Sequence, residues 1–127
     1  MKSLVITLFA VLVMYPCFSQ EAKVNSGAEI EFAKTLHDYG SIQKGGDGKC
    51  VFIFQNTGDS PLVLSNCKSS CGCTVPAWPK TPVAPGAKDS IIVEYNTNRL
   101  GAFTKSVTVY SNALTNSVRL MIKGKVE

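Results

Sequence analysis

Short segments of this chain alternate apolar and polar residues with a period of two or run in β-branched and aromatic residues, and the 3.6-residue period of a helix appears nowhere after residue 20. Ala28-Glu29-Ile30-Glu31-Phe32 alternates small or apolar with charged residues, the pattern of a half-buried strand, and Leu36 to Ile42 continues as a short second piece. Lys49 to Gln55 is rich in β-branched and aromatic residues and predicts a stronger strand. Further strands are predicted over Leu62 to Cys67, Ser90 to Tyr95, Phe103 to Tyr110 and Ser117 to Val126. Turn formers separate them: Gly45, Gly46 and Gly48 in one place, Asn56-Thr57-Gly58-Asp59-Ser60-Pro61 in another. About seven short strands within some hundred residues predict an all-β fold, an immunoglobulin-like two-sheet sandwich over residues 28–127.

The beginning of the chain has another character. Lys2 gives a positive start, Leu4 to Tyr15 is nearly all apolar, and Pro16 breaks the run before Cys17-Phe18-Ser19. Residues 1–19 are expected to be a secretory signal cut after Ser19, because the apolar run is shorter than the ~20 residues a spanning helix needs. A cysteine just after such a run can also be lipidated, so a lipoprotein anchored at Cys17 is the alternative; Tyr15 and Pro16 stand where that signal carries small residues, which favours simple cleavage. Residues 20–27 are polar and aperiodic and predict a flexible lead. The expected location is periplasmic or secreted, with no transmembrane helix in the mature chain.

Without Lys2, twelve basic residues face nine acidic ones, a net charge of +3 in place of +4. The basic residues are scattered, without a block or interleaved aromatics, so nucleic acid is not an expected partner. Chemistry concentrates instead in the connection Lys68 to Lys88, which is long for such a domain and so carries function or hides a short strand. It follows Cys67 and contains Cys71 and Cys73. Pro76, Pro79, Pro82 and Pro85 then recur every third residue, which favours a stiff, polyproline-like track, with Gly86 turning into the next strand. Trp78 among the prolines is either an exposed contact for a partner or a lid over one end of the sandwich. His37 is the sole histidine and has neither a marked nucleophile nor a second acid evident beside it, so it reads as a strand-edge residue and no enzyme is expected.

Several of these residues resemble those of one family. Asp38-Tyr39-Gly40, Asn56-Thr57-Gly58, Ser70-Cys71-Gly72-Cys73-Thr74, the Pro82-x-x-Pro85-Gly86 turn and Ser111-Asn112 together are similar to the bacterial "domain of unknown function 1573" family, over about Ile30 to Val126. The resemblance implies an exported Ig-like domain, related to modules of the major-sperm-protein type, without catalytic residues. Cys71 and Cys73 match its motif, whereas Cys50 and Cys67 stand where its pattern has other residues.

An exported chain with four cysteines after cleavage is expected to form disulfides, and Cys50, Cys67, Cys71 and Cys73 allow three pairings. The favoured one joins Cys50 to Cys67, each eight residues outside the Gly58-Asp59 turn. That bond would close about sixteen residues and stabilise by roughly 3 kcal/mol. Cys71 and Cys73 would then pair in a small ring whose backbone Gly72 eases. The alternative makes the Cys-Gly-Cys element a thiol site: disulfide exchange, or a soft metal such as copper or zinc held by Cys71 and Cys73 and joined by Cys67 or His37. No cofactor is expected. The function these observations favour is an exported, non-catalytic interaction or structural module of the cell envelope with a protein partner. The last strand or an open edge strand is a further candidate for pairing with another protein.

Overall fold

The computed structural model describes residues 27–127; the signal segment, Ser19, Cys17 and most of the expected lead lie outside them. Eight strands follow one another without a helix among the described residues: β1 (Ile30–Phe32), β2 (Leu36–Ile42), β3 (Lys49–Asn56), β4 (Leu64–Ser69), β5 (Thr74–Ala77), β6 (Lys88–Tyr95), β7 (Gly101–Ser111) and β8 (Ser117–Val126). They form two four-stranded sheets, the first in the order β1-β3-β6-β5 and the second in the order β2-β8-β7-β4. The fold is therefore the expected all-β sandwich, with one strand more than the alternation of the sequence revealed.

The added strand is β5, inside the proline-rich connection. It pairs antiparallel with β6, placing Pro76 opposite Val93. A proline has no N–H to donate to a ladder, so within a sheet it is tolerated chiefly at an edge, where that position can face away from the neighbouring strand, and β5 is the edge of its sheet. The last strand, by contrast, is not an open edge. β8 lies between β2 and β7, so the expectation that it offers itself to another protein is overturned, because both its sides are already paired. Its partner β2 runs parallel to it, with a register shift between Asp38 and Ser41 where Gly40 adopts a φ of 64°. Only a residue without a side chain adopts that conformation freely.

The core lies between the sheets. Along β3 the alternation is strict: Cys50, Phe52, Phe54 and Asn56 point inward and are buried. Ile91, Val93 and Tyr95 of β6 join them from the same sheet, and Val107, Val109, Leu120 and Ile122 face them from the second. At one end, Tyr95 stacks on Phe103 with ring centroids 3.7 Å apart, and Tyr39 closes over Phe103 at 5.7 Å. Burying such side chains at about 1.5–3 kcal/mol each is the main force that holds the sheets together.

Candidate functional site

Cys71 and Cys73 are bonded to each other, with Cα atoms 5.2 Å apart. Their turn joins β4 of the second sheet to β5 of the first and is fixed at both ends. Ser70 exchanges two bonds with Ser106 of β7: its N–H donates to the Ser106 carbonyl at 2.9 Å, and its Oγ accepts from the Ser106 N–H at 3.1 Å. The Cys73 carbonyl accepts from the N–H of Asn96 at 2.8 Å, which draws the segment after β6 alongside. Arg99 of that segment sets its Nη1 3.5 Å from the Sγ of Cys71, and the Cys73 N–H approaches the same sulfur at 3.3 Å. The two sulfurs are not equivalent, since Cys73 is buried and Cys71 is half-exposed. Closing only three residues, the bond restricts the unfolded chain by about 1.5 kcal/mol in the chain-entropy treatment.

The favoured Cys50–Cys67 bond is not formed. Both thiols are free and buried. The turn after β3 does not close a hairpin; it carries the chain across the core, leaving Cys50 in β3 of the first sheet and Cys67 in β4 of the second. Equal spacing from the turn therefore does not bring the two thiols together. Burial raises the Cys50 thiol, with the Tyr39 hydroxyl pulling it down, and pushes the Cys67 thiol up to about 11 against the pull of the Lys80 ammonium. Thiols held protonated in this way behave as small apolar core residues.

The residues considered for a metal are not assembled. Among the described residues no three His, Cys, Asp or Glu side chains converge as ligands. His37 Nδ1 faces the Nζ of Lys34 at 2.9 Å and its ring meets Tyr39 edge-on, so burial and the lysine charge lower its proton affinity. Trp78 is half-buried against the core, and the Lys80 ammonium sits 3.0 Å from its ring centroid.

A different surface stands out once the registers are known. On the outward face of the first sheet, Ala77, Ile92 and Val51 lie in one row across β5, β6 and β3. Ile53, opposite Ser90, and Val75, opposite Glu94 and in line with Lys49, flank that row, so the apolar residues have polar neighbours at the rim. Their exposures are 45% for Val51, 49% for Ile53, 42% for Ile92 and 61% for Val75, on a face where an antiparallel sheet normally shows polar residues to water. The second sheet's outward face is mostly of the ordinary kind: Lys68–Thr108–Arg119 and Asp38–Lys123–Thr104 form polar rows, interrupted by Leu36 beside Met121. Neither Arg99 nor this apolar face emerged from the sequence pattern. The uninterrupted apolar runs Val51 to Phe54 and Ile91 to Val93 are the signal that marks the face, because a one-sided strand would alternate there.

Comparison with known proteins agrees with this architecture. A protein of unknown function from Porphyromonas gingivalis superposes with a TM-score of 0.67 at 17% identity, over 77% of this chain and 46% of that one. This chain therefore spans about half the length of that protein. The ASH/PapD-like domain 7 of human CEP192 gives a TM-score of 0.67 at 8% identity, over 80% of this chain and 87% of the domain. The CsuC–CsuE chaperone–tip adhesion subunit pre-assembly complex of Acinetobacter baumannii gives 0.57 at 11% identity, over 79% and 58%. At such identities the likeness concerns the fold alone. No curated protein matches the sequence. The model of the family described as protein of unknown function (DUF1573) matches residues 30–126, nearly all of the described sandwich, and the chain belongs to that family.

Proposed function

We propose that this chain is an exported, non-catalytic module of the bacterial cell envelope that binds a protein partner through the outward face of its first sheet. The observation that carries the reading is the row Ala77–Ile92–Val51 with Ile53 and Val75 beside it, apolar and uncovered. Contiguous exposed apolar patches rimmed by polar residues are a feature of protein interaction surfaces. These side chains are already about half covered, so completing their burial contributes about 1 kcal/mol each. That is a useful share of a protein interface and far too little for a tight complex on its own. The free edge of β5 beside the patch is short and carries Pro76, which blunts it as a template for strand addition and leaves side-chain contacts as the main source of affinity.

Export is supported by the charged start, apolar run and small residues ending at Ser19, with Cys17 lipidation as the alternative attachment. The sandwich fold is one that proteins use for protein binding, as the Csu chaperone does with its tip adhesion subunit. Non-catalytic here means that no acid–base catalysis is assigned to His37, which is engaged with Lys34 and Tyr39. Site-specific photo-crosslinking in cells tests the reading: a photoreactive residue at Ile92 is expected to give a discrete protein adduct, and one at Thr108 on the opposite face is expected to give none. Equal labelling from both faces, or from neither, would overturn it.

A further inference from the structure

We propose that the Cys71–Cys73 disulfide is a thiol-exchange site that accepts two electrons from a protein dithiol through a mixed disulfide at Cys71. Four observations converge on that sulfur. Cys71 is the half-exposed member of the pair, and Cys73 is buried beneath it. Arg99 stands 3.5 Å from the Cys71 Sγ, and the Cys73 N–H at 3.3 Å, so the sulfur has one cation and one main-chain donor aimed at it. A cation there favours a thiolate and disfavours a positive metal ion. Finally, Gly72 is exposed, has no positive φ, and a Cβ added to it meets nothing within 4 Å beyond its immediate neighbours. Neither backbone conformation nor packing requires a glycine at that position, so the expectation that Gly72 eases the ring is replaced by another role: it leaves open the approach to the bond.

The chemistry balances with one co-reactant, the partner's pair of thiols. A partner thiolate, drawn by the Arg99 guanidinium, attacks the Cys71 Sγ. The Cys71–Cys73 bond breaks, its electron pair leaves on Cys73, and the Cys73 thiolate takes a proton from water. The partner's second thiol loses its proton and attacks its own sulfur in the mixed disulfide. The partner disulfide forms, and Cys71 departs as a thiolate beside Arg99 and the Cys73 N–H. Two electrons have then passed from the partner dithiol to the cysteine pair; Cys73 has taken up one proton, Cys71 remains a thiolate, and the partner's remaining proton is released to water. Cys50 and Cys67 take no part, since both are buried and protonated.

Exchange kinetics on the purified, folded, oxidised chain test this, with dithiothreitol and glutathione as probes and alkylation followed by peptide mass as the readout. Dithiothreitol is expected to open two thiols, Cys71 and Cys73, in the native state while Cys50 and Cys67 stay unlabelled. In Cys73→Ser, glutathione disulfide is expected to form a mixed disulfide on Cys71, about tenfold more slowly when Arg99→Gln is added and within about threefold of the parent with Arg99→Lys. Gly72→Val is expected to slow reduction of the intact bond by about tenfold with an unchanged melting temperature. A bond that dithiothreitol opens only on unfolding, or rates unaffected by both Arg99→Gln and Gly72→Val, would overturn the proposal. Opening of the native bond by dithiothreitol and its slowing in Gly72→Val are read without Cys73→Ser, so a misfolded Cys73→Ser does not spare the proposal.

Discussion

The side-chain amide of Asn56 donates to the main-chain carbonyl of Val83 at 3.0 Å from a fully buried position, tying the end of β3 to the proline-rich connection that precedes β6. Its other capacity is also used. Nδ2 donates to the Ser60 carbonyl at 2.8 Å, and Oδ1 accepts from the N–H groups of Gly58 at 3.0 Å and Glu29 at 3.3 Å. A buried amide with every group paired organises three segments at once. Gly58 follows because the backbone of Gly27 to Glu29 runs against it and leaves no room for a Cβ. The Asn-Thr-Gly element is thus architecture.

Removing the Asn56 amide takes away the partner of the part-buried Ser60 carbonyl and of the Gly58 and Glu29 N–H groups, at about 1–3 kcal/mol each, while the Val83 carbonyl keeps the Leu62 N–H. Asn56→Ala is expected to lower stability by about 2–4 kcal/mol, read as a lower urea midpoint at an unchanged slope. Gly58→Ala is expected to be at least as damaging, since backbone has to move. A midpoint within experimental error of the parent would show that the junction is not structural.

Alkaline pH should weaken the fold before mild acid does. Burial raises the proton affinity of Cys50, Cys67 and Tyr39 above their ordinary values. Groups that bind protons more tightly when folded contribute fully below their unfolded pKa, and that contribution is lost as pH rises through the folded one. For Cys67 the window runs from 9.0 to about 11. Melting temperature is expected to be level from about pH 7 to 8.5 and to fall above about 9, less steeply in Cys67→Ala. A rise in melting temperature across that window would contradict the placement of these groups.

The cysteine arrangement has a direct readout. Alkylation of the folded chain without reductant is expected to label none of Cys50, Cys67, Cys71 and Cys73; alkylation in denaturant is expected to label Cys50 and Cys67 alone. Cys67→Ser, which buries a hydroxyl in a site built for sulfur, is expected to cost about 1–3 kcal/mol. Recovery of a Cys50–Cys67 linked peptide would refute the assignment.

What the sequence revealed and concealed follows from the range of each signal. The β-branched and aromatic run in Lys49 to Gln55 depends only on neighbouring residues, and β3 lies where that run places it. β5 was concealed because Pro76 argues against a strand unless its edge position is known, and edge position is a property of the whole sheet. The thiols of Cys50 and Cys67 looked matched along the chain, yet the turn between them crosses from one sheet to the other. Arg99 reaches Cys71 from 28 residues away, a proximity no local pattern encodes.

The central claim is that the apolar outward face of the first sheet serves a partner and not the fold. Its most direct test pairs two readings on one variant, Ile53→Lys with Ile92→Lys: the melting temperature of the purified chain, and the cellular adduct formed from a photoreactive residue at Val51. The account predicts a melting temperature within about 3 °C of the parent, since solvent-facing positions carry little folding energy, together with loss of the adduct. A large fall in melting temperature, or an adduct that persists undiminished, would contradict it.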